Sequence, residues 1–422
     1  MGGGRLRPAA GAAGGAAIGQ RGKSVLYEDS QRLIRRSRVL DADGLLAALL
    51  LTILSTSGLY YLIILPVFVV QLQALFGLSP ALSGVLVSVD GYAGVGSALL
   101  ISIFIHKLRW KPLLAGALVV IATCEALTPL AGNLPELFAV RVLHGLASGT
   151  ATALTASVIG RTRLPDKVYG VLLVYQAAIS AGALFALPHF LSAHGPWLTF
   201  EITAAATAAA LLLIPVIPDF ASPNGNVRQT RAVRGLRPEV LAAVAAVYVF
   251  QVFHTSLNAY TLGIGDALGL EKVAAANGVG LGQSVGVLGA LIVIVIGMRF
   301  GRVLPLSVTI PVALLEGALL LLGKHSEPNW VTAQILDGAL TYYALPLLLG
   351  TCAATDPGGR APIWGGLASK LGLATGPALG GFLIETSYRG LIAGGAAGMA
   401  LAGAVAIYAA ARLAHAHRDP PR

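Results

Sequence analysis

The chain has 422 residues, of which 56% are hydrophobic and 11% charged, with a formal net charge of +10. That balance excludes a water-soluble domain, in which about a quarter of residues are charged. Its basic residues sit in short runs between apolar stretches, the pattern of membrane loops rather than of a nucleic-acid surface.

Residues 1–43 are rich in Gly and Ala and basic, and they read as a cytoplasmic tail. No apolar core precedes a small-residue cleavage site, so the segment is not a signal peptide. Leu26, Leu33 and Leu40 recur every seventh residue among Arg32, Arg35, Arg36 and Arg38. An interfacial helix on acidic lipid and a disordered tail both fit this spacing. Arg21-Gly22-Lys23-Ser24 ends like a phosphate-binding loop, but Ala17 stands where the motif begins with glycine and no strand precedes it.

From Gly44 the chain is a series of apolar stretches near 44–70, 82–105, 111–131, 136–159, 167–188, 196–217, 239–261, 273–297, 303–323, 329–353, 361–384 and 389–411. Each approaches the ~20 residues that span a bilayer. The predicted fold is therefore an all-α integral membrane protein of twelve transmembrane helices. Two six-helix bundles, 44–217 and 239–412, flank a cytoplasmic linker at 218–238, and 413–422 is a second cytoplasmic tail. Cys124 and Cys352 each fall inside an apolar run, which argues against a disulfide framework or a zinc site.

The linker carries Arg228, Arg231, Arg234 and Arg237. With the N-terminus inside, 24 of the 29 Lys and Arg residues fall on the cytoplasmic side, and Lys272, Lys324 and Arg389 fall outside. This asymmetry predicts an inner, plasma-type membrane with both termini cytoplasmic.

The turn after the second span, from His106 through Lys107 and Arg109 to Pro112-Leu113, matches the turn after the eighth, from Met298 through Arg299, Gly301 and Arg302 to Pro305-Leu306. Both are short, basic and end in Pro-Leu, six spans apart, as in a transporter built from parallel repeats. Arg141 followed by Gly145 and Gly149, and the run Gly372, Gly376, Pro377, Gly380 and Gly381, complete the pattern. On these residues the sequence resembles the major facilitator superfamily from Gly44 to Arg412. The resemblance implies two rocking bundles around a central cavity lined by the first, fourth, seventh and tenth spans. It also implies cytoplasmic gating turns at Lys107, Arg109, Arg299, Gly301 and Arg302. Met298 and His106 replace the acid of the family's turn, and Arg109 replaces its glycine. The glycine–proline run is similar to one in the family's antiporters, where it lies on the fifth helix rather than the eleventh.

Polar residues occupy one face of four spans at helical spacing. These are Thr52, Thr56 and Tyr60 on the first; Arg141, His144, Ser148, Thr152 and Thr155 on the fourth; Gln251, His254 and Asn258 on the seventh; and Gln334, Asp337 and Thr341 on the tenth. In lipid such stripes must face protein or water. They form the expected substrate site. An ionisable residue within a span needs a partner, and Asp90, Asp337, Arg141 and Lys370 are the candidates for proton coupling. Glu125, Glu201 and Glu316, on spans peripheral in the family resembled, read as structural. Gly278, Gly282, Gly286 and Ala290 on the eighth span, and Gly372, Gly376 and Gly380 on the eleventh, are spaced for close helix packing.

The sequence thus predicts a monomeric, cofactor-free, proton-coupled secondary transporter of a small organic solute, with drug or metabolite export ahead of uptake of a small organic anion. It predicts no metal site, no nucleic-acid partner and no enzymatic activity. A membrane receptor or intramembrane enzyme on the same fold is the reading of another class.

Overall fold

The structure, a computed structural model, describes residues 44–105, 108–162, 164–217, 237–296, 299–356 and 360–418. The tail at 1–43, nearly all of the 218–238 linker, and Lys107 lie outside these residues. Every element among the described residues is helical.

Ten helices are long and apolar enough to cross a membrane. They are the second span (Pro80–Phe104), third (Trp110–Leu130), fourth (Leu134–Ile159), fifth (Lys167–Leu191), sixth (Leu198–Val216), seventh (Pro238–Ala267), ninth (Val303–Leu322), tenth (Glu327–Thr355), eleventh (Ala361–Thr386) and twelfth (Tyr388–Ala414). The eighth, Lys272–Ile296, is as long at 25 residues. With the first span these make twelve. The twelfth helix continues to Arg418, past the residue 411 at which the sequence places its end.

The first span is not one helix. It runs as Leu45–Ser57, Tyr60–Ile63 and Leu65–Phe76, where the sequence predicts an uninterrupted stretch at 44–70. Two local causes coincide. Thr56 and Ser57 turn their hydroxyls back onto the carbonyls of Thr52 and Ile53, each at 2.8 Å, just before Gly58. Pro66 has no amide hydrogen for the carbonyl four residues earlier. The freed carbonyls find side chains on neighbouring spans. Gly58 accepts from Ser148, Ser57 from Thr207 at 3.4 Å and Ile63 from Ser180 at 2.9 Å. An unwound segment in mid-membrane persists only with its backbone satisfied in this way.

Both halves open their fourth helix with a side-chain cap, which fixes where the inward-facing residues start. Asn133 accepts from the Glu136 amide at 2.9 Å, and Ser326, six spans later, accepts from the Asn329 amide at 3.5 Å. The packing inside each half repeats as well. A Cβ on Gly145 would overlap the Asp90 carbonyl, and one on Gly149 the Gly94 carbonyl, so the second and fourth spans meet backbone to backbone. The eighth and tenth spans do the same: Gly282 abuts the Gln334 carbonyl, Gly286 the Gly338 carbonyl, and Gly278 the Trp330 ring. Gly372, Gly376 and Gly380 lie against Gln251, Thr255 and Ser256 of the seventh span.

Gly282→Leu is expected to force the eighth and tenth spans apart. Overpacking of this kind costs about 1–3 kcal/mol or more. A lower yield of monodisperse protein on size-exclusion chromatography would register it, and an unchanged yield with normal transport would show that the two backbones are not in contact.

The two halves touch chiefly at one end. The second span meets the eleventh, the fifth meets the eighth and the first meets the seventh. The Ala81 amide donates to Glu385 at 3.0 Å, Tyr260 donates to the carbonyls of Pro80 and Pro377, and the Ala378 amide donates to Ser88 at 3.0 Å. Phe185 of the fifth span packs on Gly280 of the eighth. All of these lie in the halves of their helices remote from the linker. Among the described residues, the hydrogen bond between the second and eleventh spans nearest the linker is Tyr92 to Thr375 at 2.7 Å. Beyond it Leu99, Leu100, Ile103 and Phe104 of the second span and Ile363 and Trp364 of the eleventh are exposed. The bundles are sealed at the far end and splayed at the linker end.

Candidate functional site

Between the bundles, on the linker side of that seal, lies a cavity of about 350 Å³. Eight spans line it: the first, fourth, seventh and tenth, as the resemblance implies, together with the second, fifth, eighth and eleventh. Of the substrate-site residues predicted from the sequence, Ser148, Thr152, His254, Asn258 and Thr341 line the cavity, and so does Lys370. The additional walls explain what sequence reading missed. Gln176 and Ser180 on the fifth span and Gln283 on the eighth add polar atoms, but most of the rest is small or apolar, as at Val87, Gly91, Gly94, Leu373 and Ala374.

Arg141 and His144 lie behind the wall, not on it. Arg141 is fully buried and His144 nearly so. The guanidinium joins two carboxylates: Nη2 donates to Asp90 of the second span, and Nη1 donates to Glu125 Oε1 of the third at 3.1 Å. His144 Nδ1 lies 3.0 Å from Asp90 Oδ2 and its Nε2 lies 2.9 Å from Glu125 Oε1, so its two ring nitrogens face the two acids. Thr203 of the sixth span donates to the other oxygen of Glu125 at 3.2 Å. The rings of Phe68 and Tyr61 stand 4.8 and 5.4 Å from the guanidinium carbon, close enough for a cation–π contribution. Tyr61, carried by the short helical turn Tyr60–Ile63 between the two breaks of the first span, is both cavity wall and lid over this cluster. Two acids balance two bases, and every strong donor is used within the bundle. Glu125, read from the sequence as structural, is the second counter-ion of Arg141; its spacing from Arg141 gives no hint of the pairing.

The second half has a smaller polar group at the cavity wall. His254 Nε2 lies 2.7 Å from Thr341 Oγ1 and 3.3 Å from Asp337 Oδ1. Its ring stacks on Phe250 at 5.9 Å. Asp337 is 8% exposed and sits behind His254, whereas Asp90 is 0% exposed. Glu316 is buried, and among the described residues its Oε2 has no hydrogen-bond partner. Glu201 is exposed.

The other predicted site residues lie away from the cavity. Thr56 donates within its own helix, Tyr60 is half-buried, Gln251 donates to Ser369 at 2.9 Å and Gln334 accepts from Thr261 at 3.4 Å. At the basic turns Arg109 and Arg299 are exposed and Arg302 is half-buried. Gly301 takes φ +67°, a left-handed conformation that favours glycine, whereas Arg109 at φ −82° does not. Among the described residues of the two turns, the left-handed position is found in the second copy.

The solved structures place this architecture. The nucleoside transporter NupG is similar over 88% of this chain and 99% of its own, at 16% identity and a TM-score of 0.64. The xylose transporter XylE from E. coli, in an inward-open conformation, is similar over 87% and 94% at 14% identity and a TM-score of 0.64. A bacterial homologue of the human lysosomal transporter Spinster, inward-facing and unoccupied, gives 15% identity over 88% and 96%, with a TM-score of 0.60. No curated protein matches the sequence. The sequence model of the Major Facilitator Superfamily matches residues 45–357, and with this helix order and the two-bundle cavity the chain belongs to that superfamily of multi-pass membrane transporters.

Proposed function

We propose that the protein is a proton-coupled secondary transporter that carries a small organic solute by alternating access. The observation that carries this reading is a mid-membrane cavity, sealed at one end and splayed at the other, whose wall holds an imidazole backed by a carboxylate, His254 and Asp337. Acid and histidine chains of this kind serve as proton relays in transporters. The neighbouring Thr341 and Asn258 supply hydrogen bonds for a polar solute, and the apolar wall suits an organic body. The glycine–proline run of the eleventh span favours export. Counterflow of labelled solutes in proteoliposomes tests the reading, because a receptor or enzyme on this fold exchanges none.

The basic asymmetry puts the linker end in the cytoplasm of a plasma-type membrane, so the cavity opens inward. A single cysteine at position 228, in a background lacking Cys124 and Cys352, is expected to react in intact cells only with a membrane-permeant reagent. Labelling by an impermeant reagent would invert the topology.

A further inference from the structure

The cavity is built for one charge, and the charge is positive. Lys370 is the only Lys or Arg among the described residues that line it, and no Asp or Glu lines it. Behind the wall, Asp337 is engaged with His254 and Asp90 with Arg141. Among the described residues Lys370 has neither an ion-pair nor a hydrogen-bond partner, and its side chain is exposed to the open cavity. While the linker end is splayed, water can solvate the ammonium. When the bundles close on that side, this water is lost, and a buried charge without a partner is costly. An anion that enters with it removes that cost.

We propose that the transported solute is a small organic monoanion whose charged group pairs with Lys370. This inference rests on the transporter reading and adds the class of solute. A lysine is a point charge, without the fixed fork with which arginine grips a carboxylate, so it holds a single anionic group without imposing bidentate geometry. Thr341 and Asn258 offer hydrogen bonds to the other end of the solute, and Leu59, Leu62 and Leu373 take its apolar body. That lining excludes inorganic anions as the main cargo, since they would lose water without gaining apolar contact. The same logic links binding to closure: the anion neutralises the one charge that opposes occlusion of the cavity.

The test uses the purified full-length protein and a panel of small organic carboxylates, each matched with its own neutral amide. Ligand binding to the folded state raises the unfolding temperature. At least one carboxylate is expected to stabilise the wild type where its amide does not. Lys370→Gln is expected to weaken that carboxylate about tenfold or more, with Lys370→Arg staying within a few-fold. Amides that stabilise as well as acids, or undiminished carboxylate binding by Lys370→Gln, overturn the assignment. The acid-against-amide comparison needs no variant, so a poorly folding substitution leaves the proposal testable. If only neutral or cationic solutes undergo counterflow, the anion assignment falls and the transporter reading stands. If no solute undergoes counterflow, both fall.

Discussion

Asp337→Asn is expected to abolish accumulation of solute driven by a pH gradient while leaving exchange at equal pH largely intact. Asparagine keeps the volume of the side chain and can still hydrogen-bond His254 Nε2, which lies 3.3 Å from Asp337 Oδ1. The helix is also unaffected locally, because Thr341 donates to the Asp337 backbone carbonyl, not to its carboxylate. What the variant loses is a proton-binding group one side chain away from the cavity. Accumulation in proteoliposomes should fall at least about tenfold, to the level without a gradient, since a symporter or antiporter that cannot bind its ion can only equilibrate solute. Counterflow should remain within a few-fold of wild type, because His254, Asn258 and Thr341 still line the cavity. If Asp337→Asn concentrates solute as well as wild type, coupling belongs to another acid, and Asp90 becomes the first candidate.

Much of this architecture is legible in the sequence because membrane spans are written in composition. Runs of apolar residues near 20 long, basic turns at alternate ends and a repeated Pro-Leu turn lead to twelve helices in two halves. The need of Arg141 for a partner is equally legible, since a lone charge in a span is costly. The identity of the partners is not. Asp90 and Glu125 reach Arg141 from two other helices, and helical periodicity describes one helix at a time. The same limit explains why the polar stripe of the fourth span divides in the structure. Ser148 and Thr152 face the cavity, but the unwound first span brings Tyr61 across the stripe and encloses Arg141 and His144. The causes of that unwinding, Thr56 and Ser57 before Gly58 and then Pro66, stand in plain view, yet within a long apolar run none of them interrupts the hydropathy that marks a span. Apart from Lys370, the walls supplied by the second and eleventh spans are silent for a different reason. Glycine and alanine leave room for a solute without adding a polar signal.

The stability of the first bundle should depend on Arg141 more than on any other charged side chain in it. Arg141 is 0% exposed and bridges Asp90 and Glu125, themselves 0% and 2% exposed. Arg141→Gln leaves two buried acids with only His144 between them. Breaking a buried ion pair from one side costs about 3–5 kcal/mol, because the surviving charge stays desolvated. The variant should therefore unfold at a markedly lower temperature in detergent and express poorly. Arg141→Lys is not a conservative replacement here, since one ammonium cannot reproduce two nitrogens aimed at two carboxylates. Removing Asp90 as well restores the balance: Asp90→Asn with Arg141→Gln leaves Glu125 paired with His144 at 2.9 Å. This double variant should recover much of the lost stability, a coupling that a double-mutant cycle measures directly. If the recovered protein also exchanges solute, Arg141 holds the bundle together and takes no part in binding, as its position behind Tyr61 requires. An Arg141→Gln protein as stable as wild type would mean that the three helices are held by their small-residue contacts, with the charge cluster adding nothing.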